Sequence, residues 1–232
     1  AFCPARAVPR PVRCAHEMNE NDARPIRMSA IAVSPMRYEP AVENSDRISS
    51  PKSSPNVPAI GISGVDSGLI QAHKRAPVKL QSSDATVDYG FVGDIDYIDT
   101  DVIRKLLDNG LMPVISPLSS DGSGTLLNIN ADTVAGAIAE ALGAEKLVYL
   151  TDIEGLRRVV DDPTSLIRQT TPDELDALMA DGTIAGGMIP KVESCVHAVR
   201  CGVRRAHILD GRIPHVLLLE VFTDEGIGTM VR

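Results

Sequence analysis

Residues 131–152 read ADTVAGAIAEALGAEKLVYLTD, and this stretch sets the architecture. Ala131 to Leu142 is rich in alanine, the strongest helix former, and Gly143 stands where a helix closes. Lys146 to Leu150 then makes a short apolar run, the clearest strand of the chain, ending on the polar pair Thr151-Asp152. A helix followed at once by a buried strand is half of a repeating unit.

The flanks continue that unit. Pro172, preceded by a Thr that can cap, starts a helix whose Leu175, Leu178 and Met179 fall at helical spacing. The pattern predicts a further helix over 190–201, a strand over 205–209, a short helix over 215–221 and a last strand over 229–231. Upstream, 78–80 and 86–92 are strand candidates around a turn at 82–84. A helix starts at Thr100, with Val102, Ile103, Leu106 and Leu107 at helical spacing, and stops at Gly110; 112–118 reads as a buried strand. Strands separated by helices imply an α/β fold with a mostly parallel central sheet covered on both faces. Ligands of such folds bind beyond the carboxyl ends of strands, which points to Asp152 and Asp210.

Composition narrows the function. Net charge is −8 over 232 residues, which argues against general affinity for nucleic acid or an anionic membrane surface. No apolar run approaches the roughly 20 residues of a membrane span. With no Trp, 4 Tyr and 3 Phe, a stacking platform for single strands is not expected either. The charge is also uneven. Residues 1–58 hold 9 of the 16 Pro, no Gly and a net +2, leaving −10 for the rest. This segment is expected to be an irregular, disordered leader, with 47–55 as a linker; 59–232 is expected to be the folded domain. Cys3 and Cys14 fall in the leader, and Cys195 and Cys201 in a helix, so neither a disulfide framework nor a zinc site is expected.

Phosphate motifs are few. The chain contains no Gly-Lys step, so a Walker A loop is excluded, and Leu127 stands where a dinucleotide fingerprint after Gly122 and Gly124 needs glycine. Two clusters remain. Asn128, Asn130 and Asp132 lead into the alanine-rich helix, where one of the three can cap it. Gly186-Gly187-Met188-Ile189-Pro190-Lys191 enters the next helix and places a cation near its first turn, an electrostatically poor position unless an anion joins it.

Together these segments resemble the acetylglutamate kinases of the amino acid kinase family. The resemblance runs from about Ile60 to Arg232. Its blocks are 61–64 (GISG), 89–93 (YGFVG), 128–132 (NINAD), 150–152 (LTD), 186–191 (GGMIPK), 208–212 (ILDGR) and 222–230 (FTDEGIGTM). It implies a three-layer αβα sandwich, with 59–145 belonging to the acylamino-acid lobe and 146–232 to the nucleotide lobe. The implied reaction is transfer of phosphate from ATP, carrying Mg²⁺, to the γ-carboxylate of N-acetyl-L-glutamate in arginine biosynthesis. By resemblance Lys191 and Asp132 are catalytic, and Asn128 and Asn130 bind the acylamino acid. Asp152, Gly155, Thr183 and Ala185 meet the nucleotide, and His207, Glu225 and Gly226 meet an arginine effector. No protein metal site is implied.

The family's first lysine, two glycine-rich loops and a substrate arginine find no counterpart before Gly61, so the N-terminal part of the fold is expected to be incomplete and turnover weak. The alternatives are a noncatalytic nucleotide- or arginine-binding fragment and a related acylaminoadipate kinase. The resemblance further implies a homodimer, or a hexamer in arginine-inhibited members. The six Asp and Glu of residues 1–58 are unusual in a transit peptide, so the cytoplasm is expected rather than a plastid.

Overall fold

The structure, a computed structural model, describes residues 29–33, 58–79, 86–159, 162–184, 186–223 and 226–232. The chain opens with β1 (Ser29–Val33), β2 (Ala59–Ser63), β3 (Ile70–Lys74), β4 (Val78–Lys79), β5 (Thr86–Val87) and β6 (Gly93–Ile98). Then come α1 (Asp101–Asp108), β7 (Met112–Ser116), β8 (Leu118–Ser120), β9 (Leu126–Asn128), α2 (Ala131–Leu142) and β10 (Lys146–Thr151). It closes with β11 (Gln169–Thr170), α3 (Pro172–Ala180), α4 (Ile189–Arg200), β12 (Arg205–Asp210), α5 (Val216–Phe222) and β13 (Thr229–Val231). Among the described residues no helix is long and apolar enough to cross a membrane.

The largest sheet has the order β1-β10-β12-β13-β11. β1, β10 and β12 run parallel, β13 is antiparallel to β12, and β11 is parallel to β13. Alternation along the strands supplies both faces. Leu147, Tyr149, Ala206 and Ile208 enter one core cluster with Val192, Cys195 and Val196 of α4 and Leu175 of α3. Val148 and Leu209 face the other way, against Val216 of α5. Helices therefore cover both sides, giving the αβα layering expected.

The first part of the domain is more antiparallel. β6-β3-β8-β9 forms a four-stranded sheet, β2 pairs β7 in parallel, and β4 pairs β5. Its core gathers Leu69, Ile70, Ile98, Ile103, Leu127 and Ile129 around Val134, Ile138 and Leu142 of α2. Those three are four residues apart and form one stripe, while Ala139 faces the other cluster. α2 is thus the wall shared by the two cores, and its first turn stands at their junction.

Several elements differ from the sequence pattern. The strand β1 falls inside the segment read as an irregular leader, and the rest of 1–57 lies outside the described residues. The run 112–118 does form β7, but Met112 and Val114 are 48% and 59% exposed, because only the Ile115 face packs on the core. The strand read over 86–92 stops at Val87; Asp88 then turns the chain by accepting from the Gly90 N–H at 2.8 Å. β3 and β6 were not read as strands, since polar residues interrupt both and a bulge shifts their register between Gln71 and Ala72. α1 begins after Thr100 as expected, yet Asp99 rather than Thr100 accepts the Asp101 N–H.

Candidate active site

Leu126 to Ala131 explains how the site forms. The segment is extended, so Leu127 and Ile129 sink into the core while Asn128 and Asn130 face outward. The chain then turns into α2, and the Asn130 side chain accepts from the N–H groups of Asp132 (2.9 Å) and Thr133 (3.2 Å). Asn130 is therefore the cap of α2, with its side-chain NH₂ left as the group it can present. On the far side of the cleft, the turn Gly186–Met188 delivers α4, whose first residues include Pro190 and Lys191. No side chain caps the start of α4.

These residues bound one open cleft of about 610 Å³, lined by Asn128, Asn130, Asp132, Gly187 and Lys191 among others. Across it, Lys191 Nζ donates to Asp132 Oδ2 at 2.6 Å. The two side chains are 12% and 9% exposed, so the pair is largely shielded from water. The second oxygen, Asp132 Oδ1, is buried and accepts no hydrogen bond. The first turns of α2 and α4 both border the cleft, so two positive helix ends and one ammonium group converge there. The arrangement suits a polyanion.

A brace that the sequence reading missed lies beneath the pair. Tyr149 Oη of β10 donates to the Asp132 carbonyl oxygen at 3.0 Å and meets Ser194 Oγ of α4 at 2.6 Å. Burial pushes the Tyr149 phenol far above its ordinary range, so it stays a neutral donor. Gly136 lets α2 come this close, since a Cβ there would lie 2.7 Å from Ser194 Oγ. An apolar-flanked Tyr and a helical Ser gave no motif; only their shared position against Asp132 reveals them.

The other expected residues lie elsewhere. Asp152 is exposed just past the end of β10, and Asp210 ends the adjacent strand, its carboxylate held below the usual range chiefly by the Arg212 guanidinium. Gly155 is buried at φ 147°, where a Cβ would meet Thr229 Oγ1 at 2.7 Å, so packing alone requires glycine. Thr183 follows α3, its N–H donating to Asp181 Oδ1 at 2.9 Å. None of Asp152, Gly155 and Thr183 lines the cleft, and Ala185 lies outside the described residues.

The expected effector residues converge on Glu220, which the sequence reading did not single out. His207 Nδ1 is 2.8 Å from Glu220 Oε1, and Glu220 Oε2 accepts from the Ile227 N–H at 2.8 Å. Gly226 crosses over that carboxylate, and Glu225 lies outside the described residues. His207 Nε2 is buried without a hydrogen-bond partner, and His207 and Glu220 line a smaller cavity of about 180 Å³ beside α5.

Comparison with known proteins bears on this geometry. The sequence profile described as the amino acid kinase family matches residues 9–210. The acetylglutamate kinase of Methanosphaera stadtmanae is 51% identical over 177 residues, 75% of this chain and 59% of that protein. That of Symbiobacterium thermophilum is 52% identical over 175 residues, again 75% and 59%. The chain thus spans about three-fifths of the length of these curated relatives. Among solved structures, N-acetylglutamate synthase from Neisseria gonorrhoeae, complexed with coenzyme A and L-arginine, superposes with a TM-score of 0.64 at 30% identity, over 79% of this chain and 40% of that one. An isopentenyl phosphate kinase shares the fold, with a TM-score of 0.50 at 19% identity over 76% of this chain and 60% of that one. A profile match over most of the sequence, on a cleft built from a lysine, an aspartate and two helix N-termini, places the chain in the amino acid kinase family.

Proposed function

We propose that the cleft carries out the acetylglutamate kinase reaction, transfer of the γ-phosphoryl group of ATP to the γ-carboxylate of N-acetyl-L-glutamate in arginine biosynthesis. The observation that carries this reading is the 2.6 Å Lys191–Asp132 pair set between two helix N-termini. Phosphoryl transfer forms no covalent enzyme intermediate; it needs alignment and neutralisation of charge spread over phosphoryl oxygens. Lys191 supplies a fixed positive charge with little water around it, and Asp132 holds the ammonium in one place. The start of α4, which no side chain caps, adds its helix dipole toward the same anion, while Asn130 already holds the Asp132 and Thr133 N–H groups of α2. Asn128 and the Asn130 amide NH₂ are the donors for the acylamino acid, while Asp152, Thr183 and the adjoining turn meet the nucleotide. Mg²⁺ arrives as part of the MgATP substrate, coordinated mainly by phosphate oxygens.

The test is ADP release by the chain supplied with MgATP and either N-acetyl-L-glutamate or N-acetyl-L-aminoadipate. Release that depends on the glutamate derivative supports the reading, and preference for the longer acceptor favours the acylaminoadipate alternative. Heat of ligand binding without any ADP release favours a noncatalytic binding fragment.

One observation favours a second, regulatory ligand. The buried His207–Glu220 pair borders a cavity and leaves Nε2 unbonded, and the neighbouring fold of N-acetylglutamate synthase is known with L-arginine. An arginine effector there has a carboxylate to meet, and calorimetry with L-arginine on Glu220→Gln tests it: weaker binding supports the site, and unchanged binding opposes it. The exposed Ile60, Met112 and Val114 of the β2–β7 pair support self-association as a homodimer, from which a hexamer could be built. A cytoplasmic location accompanies this reading.

A further inference from the structure

At the ends of α2 and α4 remote from the cleft, three side chains of metal-binding type meet. His197 and Cys201 are four residues apart, on the last turn and C-cap of α4, and so share a face. Glu140 comes from the last turn of α2. His197 Nε2 lies 3.2 Å from Glu140 Oε2 and 3.7 Å from Cys201 Sγ, and the three ligand atoms lie within 4.8 Å of one another. The Glu140 side chain is only 6% exposed, and the one partner of its buried Oε2 is the His197 ring, in an ion-pair contact poorly aligned as a hydrogen bond. A buried carboxylate oxygen is costly without a nearby cation, a place that a protonated His197 or a metal ion held by His197 can fill.

The spacing fits a particular ion class. Zinc binds nitrogen and oxygen at about 2.0–2.1 Å and thiolate at about 2.3 Å, so a tetrahedral centre holds its ligand atoms roughly 3.3–3.6 Å apart. The observed 3.2 and 3.7 Å bracket that range, and the third separation, Glu140 Oε2 to Cys201 Sγ, is within 4.8 Å, a distance that side-chain rotation can shorten. A thiolate and an imidazole beside one carboxylate suit zinc-like ions and not magnesium or calcium, which prefer oxygen alone. His197 is about half exposed, so the site has a side open to water for the fourth position.

We propose that Glu140, His197 and Cys201 form a binding site for one zinc-class divalent ion, with water as fourth ligand. The bound ion ties the C-terminal turn of α4 to that of α2. These are the helices whose opposite ends hold Lys191 and Asp132, with Glu140 about 12 Å along α2 from Asp132 at 1.5 Å per residue. Its role is therefore to clamp the helix pair, not to join the chemistry. Binding requires the thiol to lose its proton, so affinity falls as the pH is lowered.

The test titrates the reduced chain with Co²⁺ alone, without nucleotide, and then displaces it with Zn²⁺. The proposal expects one ion per chain, a thiolate-to-cobalt charge-transfer band, and loss of that band on adding Zn²⁺. Cys201→Ser should abolish the band, while His197→Ala and Glu140→Gln should each weaken Zn²⁺ binding at least tenfold in competition with a chromophoric chelator. Circular dichroism identifies the variants that keep the native fold, and the half-exposed His197 makes His197→Ala the least disruptive of them. A folded wild-type chain that takes up no ion overturns the proposal. So does a band that survives Cys201→Ser, since another thiol would then hold the metal.

Discussion

Lys191 Nζ stands 2.6 Å from Asp132 Oδ2, joining the first turn of α4 to the first turn of α2 across 59 residues of sequence. The pair is shielded from water, so removing either partner takes a close opposite charge from the other. Asp132→Ala takes the 2.6 Å carboxylate from a shielded ammonium and should destabilise the fold by about 3–5 kcal/mol. Replacing both residues with apolar ones should cost much less than that single change. Urea unfolding of the two single variants and the double variant checks this as a thermodynamic cycle.

Gly136 is where α2 passes the Tyr149–Ser194 brace. Gly136→Ala improves helix propensity by about 1 kcal/mol but drives a methyl to 2.7 Å from Ser194 Oγ. Overpacking of this kind costs about 1–3 kcal/mol, so the net effect should be a lower Tm. Gly136→Ala combined with Ser194→Gly should recover part of the loss. A rise in Tm for the single variant would mean the brace yields freely.

α3 begins with a complete capping box. Thr171 Oγ1 accepts from the Glu174 N–H at 3.3 Å, and the Glu174 carboxylate accepts from the Thr171 N–H at 3.2 Å. Thr171→Ala should lower stability by about 1 kcal/mol, and Thr171→Ser by much less. Thermal melts of the two variants measure the difference.

Glu220 gives the fold a definite acid sensitivity. Burial by itself would raise this carboxyl, but the His207 hydrogen bond and the Ile227 N–H overcome it and hold it below its ordinary 4.5. A depressed folded pKa contributes stability that is fully present above the unfolded value. That stability is lost as the pH falls through the folded one. The wild type should therefore lose stability more steeply than Glu220→Gln below pH 4.5. Equal slopes in urea unfolding over that range would contradict the assignment.

Much of the fold is legible in the sequence. Residues 131–152 announced α2 and β10 because alanine content, a glycine stop and an apolar run all agree there. The final strand at 229–231 and the capped start of α3 were equally local signals. β3 and β6 were not, since His73, Lys74, Asp94 and Asp96 dilute their alternation and only pairing defines them. In the cleft, Asp132 and Lys191 were found through motif resemblance. The Tyr149–Ser194 brace and Glu220 were hidden because their partners lie 7 to 62 residues away. Asn130 shows the opposite case, a residue expected to bind substrate whose oxygen is already engaged as a helix cap.

The most direct test of the account is ADP release from MgATP and N-acetyl-L-glutamate by the wild-type chain and by Lys191→Met, with circular dichroism confirming that both are folded. The account predicts acceptor-dependent release from the wild type and a loss of about 10²–10³-fold in the variant, the usual consequence of removing one preorganised charge from a transition state. Equal release from the two proteins, or none from a folded wild type, would contradict it.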